Sequence, residues 1–161
     1  MWEISHRADI PARLIADRHY NRQKVGSPQF VPPGRCLVLK RHDALWVTSY
    51  PFAEYVRHAW AGAFVNSLFR NESDDIASDM IREAVAATLA KWPSPPLGMI
   101  TFVDAKKVKP TKVRGKNVFG WSYGKAGFEH VGFTKGGLWA WQLKPENMPE
   151  PKTAFGQEYD L

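Results

Sequence analysis

Between Asp74 or Asp75 and Lys91, the residues Ile76, Met80, Ile81, Ala84, Val85, Thr88 and Trp92 recur every three or four positions, with acids in the first turn where the helix dipole favours them. The spacing predicts an amphipathic helix. Pro93, Pro95 and Pro96 end it, and Leu97 to Val103 follows as an apolar run of strand length that suits a central strand. A long helix feeding a buried strand commits the chain to an α/β or α+β arrangement with helices flanking a mixed sheet.

The remaining elements agree. Trp2 to Ser5 reads as a short edge strand, and Asp9-Ile10-Pro11 as an N-cap with proline in the first turn of a helix running to about Arg18. Gly26, Pro28, Pro32, Pro33 and Gly34 mark a long loop. Arg35–Lys40 and Ala44–Ser49 pair as a hairpin around His42-Asp43, and Ala63–Phe69 is a third strand. A short helix around Phe119 to Ala126 ends at Gly127. A hairpin formed by Val131–Thr134 and Leu138–Leu143 closes the domain across Lys135-Gly136-Gly137. At 161 residues the chain is one domain, expected over residues 1–144, with a proline-containing tail at 145–161 lying on the surface or frayed.

Composition excludes several classes. Hydrophobic residues at 44% and charged residues at 24% fit a folded globular chain rather than a disordered one. No apolar run approaches the ~20 residues of a membrane span, and the N-terminus lacks the apolar core of a secretory signal, so a cytoplasmic location is expected. Cys36 is the only cysteine, which excludes an internal disulfide, and histidines and carboxylates nowhere cluster at metal-ligand spacing.

The charge is unevenly spread. Of the net +6, the stretch Ala105–Phe128 carries Lys106, Lys107, Lys109, Lys112, Arg114, Lys116 and Lys125 with no acid, while the rest of the chain is about neutral. A basic block on a neutral body is either a solvated loop or the seat of an anionic partner, a phosphate backbone or a phosphorylated cofactor.

Individual residues carry chemistry in the same region. Asp104 ends the central strand, where open α/β sheets place their ligands; it is either a proton acceptor for an amine or the cap of the next turn. Tyr123 is either a proton donor or oxyanion partner, or a packing residue. His19, a candidate base, and Tyr20, a candidate stacking platform for a flipped base, precede the loop with Gly26. Trp121 lies between the basic block and Tyr123, where an aromatic beside cations suits base stacking.

Tyr123-Gly124-Lys125-Ala126-Gly127-Phe128 resembles the tyrosine-x-lysine-x-glycine-phenylalanine signature that follows the fifth strand in the GNAT N-acetyltransferase superfamily, and the element order is similar to that fold. The resemblance implies that Tyr123 is the general acid for a leaving thiolate. A CoA-binding member has a glycine-rich turn before the long helix; here that turn reads Arg70-Asn71-Glu72-Ser73-Asp74-Asp75, without glycine and with three carboxylates that repel pyrophosphate. The turn argues against acetyl-CoA and leaves the donor open.

A group with this departure is the phage Mom-like DNA modification proteins, which alter adenine N6 and so protect phage DNA from restriction. The chain resembles them in Arg18-His19-Tyr20-x-Arg22, in Ser67-x-Phe69-Arg70-Asn71-Glu72-Ser73, in Phe102-Val103-Asp104 and in Tyr123. The likeness implies an acyltransferase-type enzyme with Asp104, Tyr123, His19 and Tyr20 around a flipped adenine. Ser67, Arg70, Asn71, Glu72 and Ser73 would receive an acyl or aminoacyl donor. Arg22, Lys106, Lys107, Lys109, Lys112, Arg114, Lys116 and Trp121 would hold DNA, in the cytoplasm of the host cell if the chain is phage-encoded. Two other classes stay open: a CoA-dependent N-acetyltransferase of a small amine or protein, and a DNA-binding module without catalysis.

Overall fold

The computed structural model describes residues 1–20, 25–27 and 29–158. Glu3–Ile4 (β1) lies along Cys36–Arg41 (β2), which turns back into Ala44–Ser49 (β3) and is followed by Phe64–Asn71 (β4). Ala77–Lys91 (α2) carries the chain over the sheet to Met99–Val103 (β5), parallel to β4, and Ile10–Ala16 (α1) covers the opposite face. Thr111–Val113 (β6) and Lys116–Val118 (β7) form a separate hairpin, Trp121–Lys125 (α3) follows, and Glu129–Phe133 (β8) and Trp139–Leu143 (β9) close the domain. The sheet order is β1-β2-β3-β4-β5-β9-β8, antiparallel except between β4 and β5. The chain is thus an α+β domain with a mixed seven-stranded sheet flanked by helices.

Hydrophobicity dictates the layering. Trp46, Phe64, Met99 and Leu143 pack against Met80, Ile81, Ala84 and Val85 of α2. On the other face Val38, Leu45, Val47 and Leu68 pack against Ala12, Ile15 and Ala16 of α1. β3 feeds both layers, and so all six of its residues are buried. Burying side chains of this size is worth about 1.5–3 kcal/mol each, which fixes the register of the central strands.

Several details depart from expectation. The long helix begins at Ala77, because Asn71, Ser73 and Asp75 are tied to one another and to Arg41 ahead of it. Asp9 is the N-cap of α1 with Pro11 in the first turn, as expected, but its carboxylate is shared with Ser5 Oγ and Lys40 Nζ, each at 2.6 Å. Of the two readings of the proline-containing tail, the structure has it lying on the domain rather than frayed: Phe155 exchanges backbone hydrogen bonds with Trp2 and Ile4, Lys152 N–H donates to Ala86 O, and Gln157 Nε2 donates to Ala87 O. The basic stretch, read as a loop, contains the β6–β7 hairpin. Its two-residue turn has Arg114 at φ 52° and Gly115 at φ 79°, a pair that matches the twist of flanking strands. Among the described residues no helix is long and apolar enough to cross a membrane.

Candidate active site

The sheet opens at its parallel joint. β4 and β5 pair only over Phe64–Asn66 and Met99–Thr101, after which β4 runs on to Asn71 and β5 to Val103. On the other side of β4 the register slips: Asn66 faces Thr48 and Leu68 faces Val47, leaving Ser67 as an extra, bulged residue. A bulge bends and twists its strand, and here it lies where the two strands part. The result is a cleft of about 250 Å³ lined by Asn66 to Phe69 of β4, Thr101 to Val103 of β5, and Gly120 to Tyr123 at the start of α3.

Three polar side chains converge in this cleft. Tyr123 Oη donates to Asn66 Oδ1 at 2.5 Å, and Thr101 Oγ1 lies 3.3 Å from the same oxygen and 3.1 Å from Asn66 O. Asn66 is buried and its Nδ2 is spent on two main-chain carbonyls, Val47 O at 3.0 Å and Leu68 O at 2.9 Å. Burial pushes the Tyr123 phenol well above its ordinary range, so it is neutral at physiological pH. Phe69 and Phe128 hold its ring edge-on, at 6.4 and 5.3 Å between centroids.

α3 reaches the cleft because two positions lack a side chain. Gly120, at φ 93°, precedes the helix, and a Cβ there would lie 2.8 Å from Trp141 Nε1 and 2.9 Å from Val103 Cγ2. At Gly124 a Cβ would come within 2.7 Å of the Trp121 ring, so this glycine lets the indole fold back along its own helix. Trp121 is thereby presented in the cleft wall.

The opposite wall is the segment after α1. His19 and Tyr20 stack with ring centroids 4.4 Å apart and both face the cleft. Burial raises the Tyr20 phenol; a hydrogen bond from the backbone of Asp104 acts in the other direction, and the Asp104 carboxylate adds to the rise. The segment is anchored upstream. Arg18 makes a two-point pair with Glu72 at 2.6 and 2.7 Å, Arg70 Nε reaches the same carboxylate at 2.7 Å, and Arg70 Nη1 donates to Arg18 O at 2.7 Å. The Arg18 guanidinium, with Arg70 behind it, holds the Glu72 carboxyl down to about 2 against the opposing effect of partial burial.

Asp104 borders a second hollow of about 350 Å³, shared with Tyr20, Asn66, Ser67, Phe102 and Lys107. Its Oδ1 accepts Lys106 N–H at 3.0 Å and its carbonyl accepts Lys107 N–H, so the residue does cap the turn after β5 while standing beside Tyr20. Lys106, Lys107, Lys109, Lys112, Arg114 and Lys116 are all exposed, and none forms an ion pair among the described residues. Lys109 and Thr111 stand at the cleft itself, where Val108 and Val118 root the hairpin in the core.

The structure therefore brings His19, Tyr20, Ser67, Trp121 and Tyr123 to one cleft, with Asp104 beside it. It does not bring Arg70, Asn71, Glu72 and Ser73 there. Arg70 and Glu72 are engaged with Arg18, and Ser73 N–H and Oγ both donate to Asn71 Oδ1. Arg22 lies outside the described residues. Among those described, no three His, Cys, Asp or Glu side chains converge to hold a metal ion.

No family model, curated protein or solved structure matches the chain. Asn66 and Thr101 are the residues that sequence reading passed over. An asparagine at position 66 reads as an ordinary polar residue in a strand, and only the bulge and the parting of the strands turn it into a site residue.

Proposed function

We propose that the protein is a DNA-modifying transferase of the GNAT-related, Mom-like kind, which transfers a group to the exocyclic amine of a flipped adenine. The observation that carries this reading is the cleft between β4 and β5, walled by Tyr20, Trp121 and Tyr123, with an exposed cationic hairpin at its mouth. Aromatic faces beside a row of cations suit a base withdrawn from its stack while the adjoining phosphates meet lysine and arginine. His19 and Asp104 are the groups at hand to take the proton that the amine gives up as its nitrogen bonds to the transferred group and the donor's leaving group departs with the electron pair of the bond that breaks.

The turn before α2 favours a donor other than a CoA thioester. Three of its amides are already engaged, Glu72 N–H by Asp43 O, Ser73 N–H by Asn71 Oδ1 and Asp75 N–H by Ser73 Oγ, and the carboxylates of Asp74 and Asp75 repel an anion. A pyrophosphate needs such amides bare.

Mass spectrometry of nucleosides from plasmid DNA, isolated from bacteria expressing the protein, tests the reading. A mass-shifted deoxyadenosine is expected, absent with an inactive variant. Unmodified DNA from cells containing folded, DNA-binding protein would favour the binding module. Retention on immobilised CoA, with unmodified DNA, would favour the N-acetyltransferase.

A further inference from the structure

Resting on the reading above, we infer that Asn66 is a positioning residue that fixes the direction of the Tyr123 hydroxyl, so that this tyrosine meets its substrate as a hydrogen-bond acceptor and selects an amino group over a carbonyl. The orientation of the Asn66 amide follows from its surroundings. Val47 O and Leu68 O are carbonyls that can only accept, and they lie 3.0 and 2.9 Å from one end of the amide, so that end is the NH₂. The other end is then the oxygen, an atom that can only accept, and it lies 2.5 Å from Tyr123 Oη.

Tyr123 is neutral and has one proton to give, and that proton goes to Asn66. The Thr101 side chain also hydrogen-bonds the phenol oxygen, so Tyr123, which lines the cleft, keeps one lone pair and no proton for the ligand. A ligand group placed against it must therefore bring its own N–H or O–H. An exocyclic amine does so; a ring carbonyl, which presents only lone pairs, does not. This polarity is opposite to that of a tyrosine serving as general acid, whose proton must point at the leaving atom.

Two measurements test the inference separately from the reading beneath it. The first is side-chain NMR of the free protein with labelled asparagine and tyrosine. Both Asn66 Nδ2 protons should exchange slowly, and the Tyr123 hydroxyl proton should be observable and coupled to Asn66. Rapid exchange of the amide protons would show that the amide turns freely and would overturn the inference.

The second is the affinity for a short thymidine oligonucleotide carrying one central adenine, against the same strand carrying hypoxanthine, which puts a carbonyl where adenine has its amine. We expect about a tenfold preference for adenine, falling to near equality in Tyr123→Phe and in Asn66→Leu, since one hydrogen bond is worth about that factor. Loss of bulk packing alone would weaken both strands alike and leave the ratio unchanged, and that result would overturn the inference. Should Asn66→Leu fail to fold, the Tyr123→Phe ratio decides. Equal binding of the two strands by the native protein, or a preference for hypoxanthine, would also overturn it. Failure to bind either strand would defeat the DNA reading, while the NMR measurement would still decide the direction of the hydrogen bond.

Discussion

Arg18 and Glu72, 54 positions apart in the chain, meet in a two-point ion pair at 2.6 and 2.7 Å, and this contact ties the end of α1 to the end of β4. Arg70 completes the tie by bonding both the Glu72 carboxylate and the Arg18 carbonyl. The two residues that follow Arg18 are His19 and Tyr20, so the ion pair sets the wall of the cleft without lining it.

Glu72→Gln should loosen that wall. Arg18 is half-exposed and screened by water, so the loss in stability is about 0.5–1 kcal/mol at neutral pH. The carboxyl sits at about 2 against an ordinary 4.5. A lowered value means that the stabilisation is complete above about pH 4.5 and is lost as pH falls towards 2. Urea unfolding between pH 7 and pH 2 should show a smaller acid-side decline for the variant than for the native chain, and superimposable declines would show that the pair contributes nothing.

Salt should weaken DNA binding steeply if the β6–β7 arm holds phosphates. Each neutralised phosphate contributes about −0.9 to the slope of log affinity against log salt. Replacing Lys106, Lys107, Lys109, Lys112, Arg114 and Lys116 with glutamine should flatten the slope and leave the thermal midpoint nearly unchanged, because these side chains are exposed and form no ion pair among the described residues. A folded variant with the original slope would assign DNA contact to another surface.

Asp104→Asn keeps an oxygen for Lys106 N–H and so keeps the turn, while Tyr123→Phe removes only one hydroxyl. Asp104→Asn should lower the modification rate by about 100-fold or more, the scale for losing a group that acts on a proton, and Tyr123→Phe by about tenfold, the scale for losing one hydrogen bond to the amine. The double variant should be little slower than the slower single one. Normal modification of cellular DNA by both single variants, at native protein levels, would place the chemistry elsewhere.

Gly120→Ala tests the close approach of α3. The added carbon would meet Trp141 and Val103 at under 3 Å, at a φ of 93° that side chains rarely adopt. A loss of about 2 kcal/mol or more in unfolding free energy is expected, with reduced ligand affinity because Trp121 and Tyr123 shift. An unaltered melting temperature would mean that the backbone relaxes freely at this position.

Much of the sheet was legible because its cues are local. The period of α2, the apolar run of β5 and the turns of the β2–β3 and β8–β9 hairpins are written in neighbouring residues, and the cleft residues Tyr20, Trp121 and Tyr123 stood out as aromatics beside charge. The β6–β7 hairpin was hidden because lysines interrupt its alternation, although Arg114-Gly115 between Val113 and Val118 is a turn cue. The docking of the tail rests on backbone hydrogen bonds to Trp2, Ile4 and Ala86, which leave no trace in composition. The tie between Glu72 and Arg18 was hidden for another reason: the two residues lie far apart in sequence.

The bulge at Ser67 gives β4 two reading frames. Side chains on a strand alternate between faces, yet Phe64 and Phe69, an odd number of steps apart, both join the α2 layer, while Leu68 joins the α1 layer. The even count before Ser67 and the odd count after it let one strand present Asn66 to the α3 side and, two residues later, a leucine to the opposite side. Deleting Ser67 would merge the frames. The strand would then have to bury an amide among the aliphatics under α1 or expose Leu68 in the cleft, so the length of this segment is as constrained as its composition.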